Sequence, residues 1–441
     1  MRITPLIFTL LVAACGSPST QDVAETQGLN PAIGAPRKTA LPTVDIATAT
    51  GWPAGKMPVA ARGLMVNEYA GGLVHPRWLL TLANGDVLVA EGDSPGTDKT
   101  GGPIKGTIQA MLMKKAGSGK GSPNRIRLLR DADGDGVAET NSVLLDHDLM
   151  SPFGMAVIGG ELFVANANAL VAFPFAAGQT KITARSRLVT ELPSGYNHHW
   201  TKSLVASPDG RFLYVGVGSN SNAGENGLKM EEGRAAVWKI DPRTGQYAVM
   251  AGGLRNPVGI AFNPSGGALW AAVNERDELG NDLVPDYLTS VRQGGFYGWP
   301  WSYFGNYVDA RVKPPRPDMV AKAIVPDYAL GSHVAPLGLT FSTGQTLGPA
   351  FATGAFVGLH GSWNRKPASG YSVIFVPFAG AMPTGAKPIT VLTGFRVGDT
   401  AYGRPVGVQI GKDGSLLVAD DVGGKVWRVS ATALPRKVAS R

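Results

Sequence analysis

"HHWTKSLVASPDGRFLYVGVGSN", residues 198–220, holds the pattern that decides the fold. A polar opening leads into an apolar run, a Pro-Asp-Gly bend and a second apolar run, which predicts a β-hairpin. The same grammar returns in "HPRWLLTLANGDVLVAEGD" (75–93), "SPFGMAVIGGELFVANAN" (151–168) and "RNPVGIAFNPSGGALWAAVNERDE" (255–278). It returns again in "HVAPLGLTFSTGQTLGPAFATGAFVGLHGSWNR" (333–365) and "GRPVGVQIGKDGSLLVADDV" (403–422). Between hairpins there is room for two more strands, as in "AAVWKIDPRTGQYAVMAGG" (235–253) and "GYSVIFVPF" (370–378). Six units of four strands predict an all-β fold, a six-bladed β-propeller with four-stranded blades. A β-sandwich or two small barrels would leave six copies of one hairpin unexplained. Residues 94–125 and 278–332 break the spacing as insertions, and "KMPVAARGLMVNEYA" (56–70) is the expected outer strand that closes the ring.

Composition agrees. The 441 residues include 59 Gly and 32 Pro, and 17% are charged, a turn-rich balance that disfavours long helices. Only "NDLVPDYLTSVRQG" (281–294) is compatible with a short one. The net charge of +8 comes without a lysine-rich tract or a basic helix, so it implies general attraction to anions and no nucleic-acid partner.

"MRITPLIFTLLVAACGSPST" carries Arg2, an apolar run from Leu6 to Ala14, and small residues before Cys15. The run is too short to span a membrane and predicts a secretory signal over 1–15. Val12-Ala13-Ala14-Cys15 resembles the bacterial lipobox, so Cys15 is expected to become a lipidated N-terminus. Gly16 after it favours an outer-membrane anchor on the periplasmic side. Cys15 is the only cysteine, which excludes a disulfide and a thiolate metal site. Residues 16–50 are expected to be a flexible tether, and 51–441 the catalytic propeller.

Propeller geometry sorts the residues further. Those just before the first strand of each hairpin, and just after the second, converge on one mouth of the central channel, where a ligand belongs. They include Arg77, His198, His199, Arg255, Asn256, Asp277, His333, His360, Asn364, Arg365 and Arg404. Arg255 and Arg404, with one or both of His360 and Arg365, suit a planar anion with several carboxylates. Adjacent strand residues point to opposite faces, so His198 and His199 are not expected to share a metal. One would face the channel as a neutral general base, and the other would pack beside Trp200 or Tyr196.

"YNHHWTKSLVASPDG", "GLRNPVGIAFNPSGGALWAAVNERDELGNDLVPDYL", "GGFYGWPWSY", "LHGSWNR" and "GRPVGV", in that order, resemble the soluble pyrroloquinoline-quinone-dependent sugar dehydrogenases, especially the sorbosone dehydrogenase-like branch. The resemblance runs from Leu73 to Val429. It implies a six-bladed propeller that holds the quinone and a calcium ion over the channel and oxidises an aldose or a sugar-derived aldehyde at C1. His199 would take the anomeric proton while hydride passes to the quinone. Arg255 and Asn256 match the family's cofactor-contacting pair, and Arg404 matches one of a pair of arginines, the other position being Tyr402. Glu275 and Arg276 fall where the family offers two backbone carbonyls to calcium. The fifth blade has no lysine aligned with the family's cofactor-binding one, so His360 or Arg365 must replace it. His198, Trp200 and Tyr402 would shape the substrate pocket. No haem motif is present, which implies an external acceptor, a cytochrome or a membrane quinone.

Two further stretches stay open. "RDADGDGVAET" (130–140) is a calcium loop or a solvated acidic turn, since an EF-hand beginning at Asp131 would want Glu where Ser142 stands. "GGFYGWPWSYFGNY" (294–307) is expected to pack between blades, with Trp301 or Tyr303 the candidates for stacking on sugar. Two other activities fit a propeller with a polar cup: a metal-dependent lactonase, which wants acidic and amide groups at the axis, and a non-enzymatic module that binds an envelope glycan.

Overall fold

The computed structural model describes residues 18–37, 43–96, 111–119 and 121–432. Each predicted hairpin is present. In the hairpin of residues 198–220, Lys202–Ala206 pairs antiparallel with Leu213–Val217, Leu204 opposite Val215. Ala236–Ile240 and Tyr247–Gly252 add the next two strands of that sheet.

Five other sheets repeat this plan. The first is Pro76–Thr81, Val87–Glu91, Arg125–Arg130 and Thr140–Leu145; the second is Met155–Ile158, Glu161–Ala165, Ala169–Pro174 and Arg187–Glu191. The fourth joins Asn256–Phe262, Leu269–Asn274, Pro285–Ser290 and Tyr328–Ser332. The fifth joins Pro336–Phe341, Gly354–Leu359, Ser372–Ala379 and Ile389–Thr393. In the sixth, Pro405–Ile410, Leu416–Asp420 and Lys425–Ala431 take their outer strand from Leu64–Ala70, so an early segment completes the last sheet. The first strands of the six sheets touch one another in a closed cycle, a propeller-type arrangement around a central axis.

A repeated glycine permits that cycle. In "NPVG", "APLG" and "RPVG" the glycine of one inner strand lies against the backbone of the next. A Cβ on Gly259 would come 2.7 Å from Leu339 Cβ, and one on Gly407 would come 2.8 Å from the Arg77 carbonyl. Apolar layers fill the space between sheets. Phe163 and Leu170 of the second meet Leu204, Leu213 and Trp238 of the third; Phe356 and Phe375 of the fifth meet Leu416 and Trp427 of the sixth. Each such large side chain removed from water contributes roughly 1.5–3 kcal/mol.

Two expectations fail here. Residues 281–294 form no helix: Pro285–Ser290 is the third strand of the fourth sheet, buried through most of its length, and Pro285 opens it where a missing N–H costs least. Residues 278–332 therefore contain two strands of the fourth sheet, Pro285–Ser290 and Tyr328–Ser332, as well as an insertion. The described part of 16–50 is also no free tether. Val23–Thr26 makes a 3-10 turn, Gln27–Gly28 pairs with Leu330 and Ala329, and Thr48–Ala49 pairs with Thr400 and Ala401. Small polar residues suit a linker equally well, but here their backbone groups find partners on the sheets. Residues 1–15, expected to be a secretory signal and including Cys15, lie outside the described residues.

Candidate functional site

The turn 196–200 delivers the histidine pair to the head of the third sheet. His199 Nδ1 lies 3.0 Å from the Ser219 carbonyl and 2.9 Å from Ser219 Oγ. Ser219 Oγ donates its only proton to the Ser221 carbonyl at 2.6 Å. Nδ1 must therefore donate, which leaves Nε2 with a bare lone pair. Burial, then the charges of Arg255 and His198, hold the His199 imidazole well below its ordinary range, against the hydrogen bond to Ser219. The His198 ring packs edge-on, centroids 4.6 Å apart at 81°. Gly218 lets His199 sit this close to the next sheet: a Cβ there would collide with His199 Cβ and lie 2.5 Å from Asn256 Oδ1.

Arg255 heads the fourth sheet and is almost wholly buried. It donates Nη1 to the Glu275 carbonyl at 2.5 Å, Nη2 to Asp277 Oδ2 and Asn222 Oδ1 at 2.9 Å each, and Nε to the Asn222 carbonyl at 3.2 Å. Asp277 Oδ1 receives Asn364 Nδ2 at 2.7 Å and lies 3.8 Å from His333. Asn256 is buried beside it, and its Oδ1 has no partner.

Across the axis, Arg404 donates Nη2 to the Tyr371 hydroxyl at 2.7 Å, and its Nη1 lies 3.4 Å from His360 Nδ1. His360 Nε2 donates to Asp421 at 3.0 Å, and Arg77 Nη1 pairs with the same carboxylate. Arg77 also lies over the Trp200 ring, 5.6 Å from its centroid. Burial, with Arg404 and Arg77 adding to it and Asp421 opposing, lowers the His360 pKa to about 4. The Nε atoms of Arg77 and Arg404 are buried without partners.

The structure thus gathers His198, His199, Trp200, Arg255, Asn256, His360 and Arg404 on the strand ends of one face. Three predicted roles do not survive. Arg365 turns away from the axis, donating to the Pro367 carbonyl at 2.7 Å, Ser19 Oγ at 3.0 Å and the Gln21 carbonyl at 2.7 Å, so it clamps the N-terminal segment. Tyr402 packs on Trp52, ring centroids 5.8 Å apart, and its N–H donates to the Phe395 carbonyl at 2.8 Å. Glu275 and Arg276 are fully buried. Arg276 bonds Asp309 and the Pro300 and Ser302 carbonyls at 2.7–2.9 Å, and the Glu275 carbonyl already receives Arg255. A calcium ion on that carbonyl would face a guanidinium at hydrogen-bond range, so these residues do not fit the metal. Asp131, Asp133, Asp135 and Glu139 group their carboxylate oxygens within 4.8 Å, in the turn between the last two strands of the first sheet, at the end away from the mouth.

Asn222 and Asp421 were missed as site residues. Asp421 follows the last hairpin's second strand, the position that flagged Asp277. Asn222 lies in an irregular loop and gives no local signal. Lys202, buried with its Nζ on the Trp200 carbonyl at 3.1 Å, was missed too.

The chain belongs to the TrAA12-like family, whose model matches residues 116–287 and 318–432. It is 24% identical over 435 residues to the pyrroloquinoline quinone-dependent pyranose dehydrogenase of Coprinopsis cinerea, covering 85% of this chain and 55% of that protein. A Borreliella burgdorferi protein is 31% identical over 219 residues, 49% of this chain and 56% of that one. The chain spans about half the length of these two relatives. Among solved structures, the Trichoderma reesei carbohydrate-active enzyme of family AA12 superposes with a TM-score of 0.69 at 21% identity, covering 85% of this chain and 98% of that one. The holo pyranose dehydrogenase PQQ domain from Coprinopsis cinerea gives 0.66 at 20% identity, covering 87% and 100%. These share the fold.

Proposed function

We propose that this chain is a pyrroloquinoline-quinone-dependent oxidoreductase that oxidises an aldose, or a sugar-derived aldehyde of the sorbosone kind, at C1. On this reading the six sheets are the six four-stranded blades of a propeller, and the site lies over its channel. The observation that carries the proposal is the His199 network, a neutral imidazole whose Nδ1 is held by Ser219 and whose Nε2 is left as a base. The donor set suits the cofactor. Two buried guanidinium Nε donors and one amide oxygen stand unpartnered around the same mouth, which matches a planar molecule bearing carboxylates and a ring N–H. The relatives named as quinone-dependent sugar dehydrogenases support it.

When bound, the quinone would supply the two-electron acceptor for hydride. His199 Nε2 takes the proton of the anomeric hydroxyl, and the Ser219 oxygens steady the imidazolium that results. Arg404 and Arg77 draw the anionic cofactor to one side of the axis, while Arg255, held by Asp277 and Asn222, keeps a positive field near His199. No step is assigned to calcium. Electrons leave to an external acceptor, a cytochrome or a membrane quinone, and Cys15 carries the lipid that holds the protein at the periplasmic side of the outer membrane.

Titration of the apo protein with the quinone is the test. The wild type should take it up and reduce a dye with a sugar; His199→Ala should take it up equally and turn over about 10²–10⁴-fold more slowly. Absence of any spectral uptake by the wild type would sink the proposal.

A further inference from the structure

We infer that one rim of the channel-mouth face docks on an anionic lipid bilayer, so that the lipid anchor and the candidate site address the same membrane. The inference rests on the reading of Cys15 as acylated and of the mouth as the site. It goes beyond that reading in saying which surface of the protein meets the lipid.

The described chain begins at Pro18, and the next residue is already fastened down: Ser19 N donates to the Lys366 carbonyl at 2.6 Å. Lys366 belongs to the connection between the second and third strands of the fifth sheet, on the same face as His360 and Arg404. From Cys15 to Ser19 the chain reaches at most about 14 Å. An acyl chain on Cys15 therefore holds this face, and no other, near the bilayer.

The surface at that point suits a headgroup layer. Lys366, Lys115, Leu112, Val44, Tyr371 and Arg396 line a cavity of about 710 Å³ that opens there. Its two acids, Asp45 and Asp399, both lie against Arg396, at 3.2 and 3.6 Å. On the rim, residues 111–115, "MLMKK", form one helical turn with Met111 66% and Met113 43% exposed and Lys114 and Lys115 exposed beside them. Val44 adds another exposed apolar side chain at 39%. Flexible apolar knobs ringed by lysines are the composition of a segment lying in a membrane interface: the methionines enter the acyl boundary and the lysines meet anionic headgroups. The patch lies beside the fifth and sixth sheets, across the mouth from His199, and it brings the proposed cofactor position close to a membrane acceptor without covering the histidine.

The full chain, matured by export, is reconstituted in vesicles of phosphatidylethanolamine and phosphatidylglycerol that carry a nitroxide lipid. Intact mass first reports acylation; an unacylated chain removes the anchor and overturns the inference, whatever the dye assay shows. With Cys15 acylated, Met113→Cys supplies a single thiol for a fluorophore, and Asp209→Cys, in a hairpin turn at the opposite end of the third sheet, supplies the control. Quenching should be several-fold stronger at 113 than at 209, and Lys114→Glu with Lys115→Glu should erase most of the difference while sugar oxidation in detergent is unchanged. Equal quenching at the two positions, or docking of an acidic soluble protein at 113 in place of the bilayer, overturns it. Quinone uptake by the same labelled proteins tests the enzymatic reading separately.

Discussion

His199 is defined by what holds it. A histidine whose Nδ1–H is bound to Ser219 and whose charged form is opposed by burial and by Arg255 stays a base in mildly acidic solution. If His199 is the base proposed above, protonation of Nε2 should stop turnover; because its pKa is depressed, kcat/KM should persist as pH falls through the ordinary value of 6.5, with its acid inflection lower still. An inflection at or above 6.5 would remove His199 from the role of base. Gly218→Ala puts a Cβ against both His199 and Asn256. It should lower stability by about 1–3 kcal/mol and reduce turnover more than quinone affinity, read from denaturant midpoints and steady-state kinetics. At this scale the sequence reading was uneven. "HHW" before a strand marks a site residue because position and residue type coincide. "NR" after a strand marked Asn364 and Arg365 equally, yet only Asn364 turns to the axis, because both lie in the loop 360–371, where distant partners set direction: Asp277 for Asn364, and Ser19 and Gln21 for Arg365.

Among elements, the hairpins were legible and the N-terminal segment was not. A hairpin announces itself through contiguous alternation and a glycine-bearing bend. The segment 18–37 is polar and irregular, and what fixes it lies far away in sequence: Arg365, the Lys387 ammonium at 2.8 Å from the Gln27 carbonyl, and the edge of Tyr328–Ser332. Arg365→Ala removes a buried guanidinium that holds two groups of that segment, Ser19 Oγ and the Gln21 carbonyl. We expect about 1–3 kcal/mol of destabilisation in urea unfolding and faster proteolysis before residue 30, with quinone affinity unchanged. A large loss of affinity would restore Arg365 to the cofactor site.

For the whole molecule, buried acids and bases set opposing pH slopes. Asp286 accepts the N–H groups of Glu275 and Ala335 at 2.8 Å each, and burial raises its pKa to about 8. The unfolded chain loses that proton near 3.8 and the folded one near 8, so stability falls as pH rises across this interval. His360 acts oppositely: held near 4 when folded against 6.5 when unfolded, it costs stability as pH falls between those values. The two oppose each other between about 4 and 6.5; from 6.5 to 8 Asp286 contributes a decline, against which buried Lys202, its pKa held well below 10.5, contributes a rise. Asp286→Asn should flatten the decline over that upper interval in a pH series of guanidinium midpoints; an unaltered slope would show that Asp286 is ionised in the folded state.

The sequence by itself determined the repeat and the closing strand at 64–70, because hairpin alternation depends on contiguous residues. It also determined the family, through motifs kept in order. Only the tertiary structure decided which arginines serve the axis, that the Glu275 carbonyl is already taken, that residues 281–294 belong to a sheet, and that Asn222 and Asp421 organise the charges. Those outcomes depend on partners distant along the chain and on side-chain direction. The histidine pair at 198–199 shows both: its place at the mouth was written in the hairpin, and the identity of its basic nitrogen came from a serine twenty residues away.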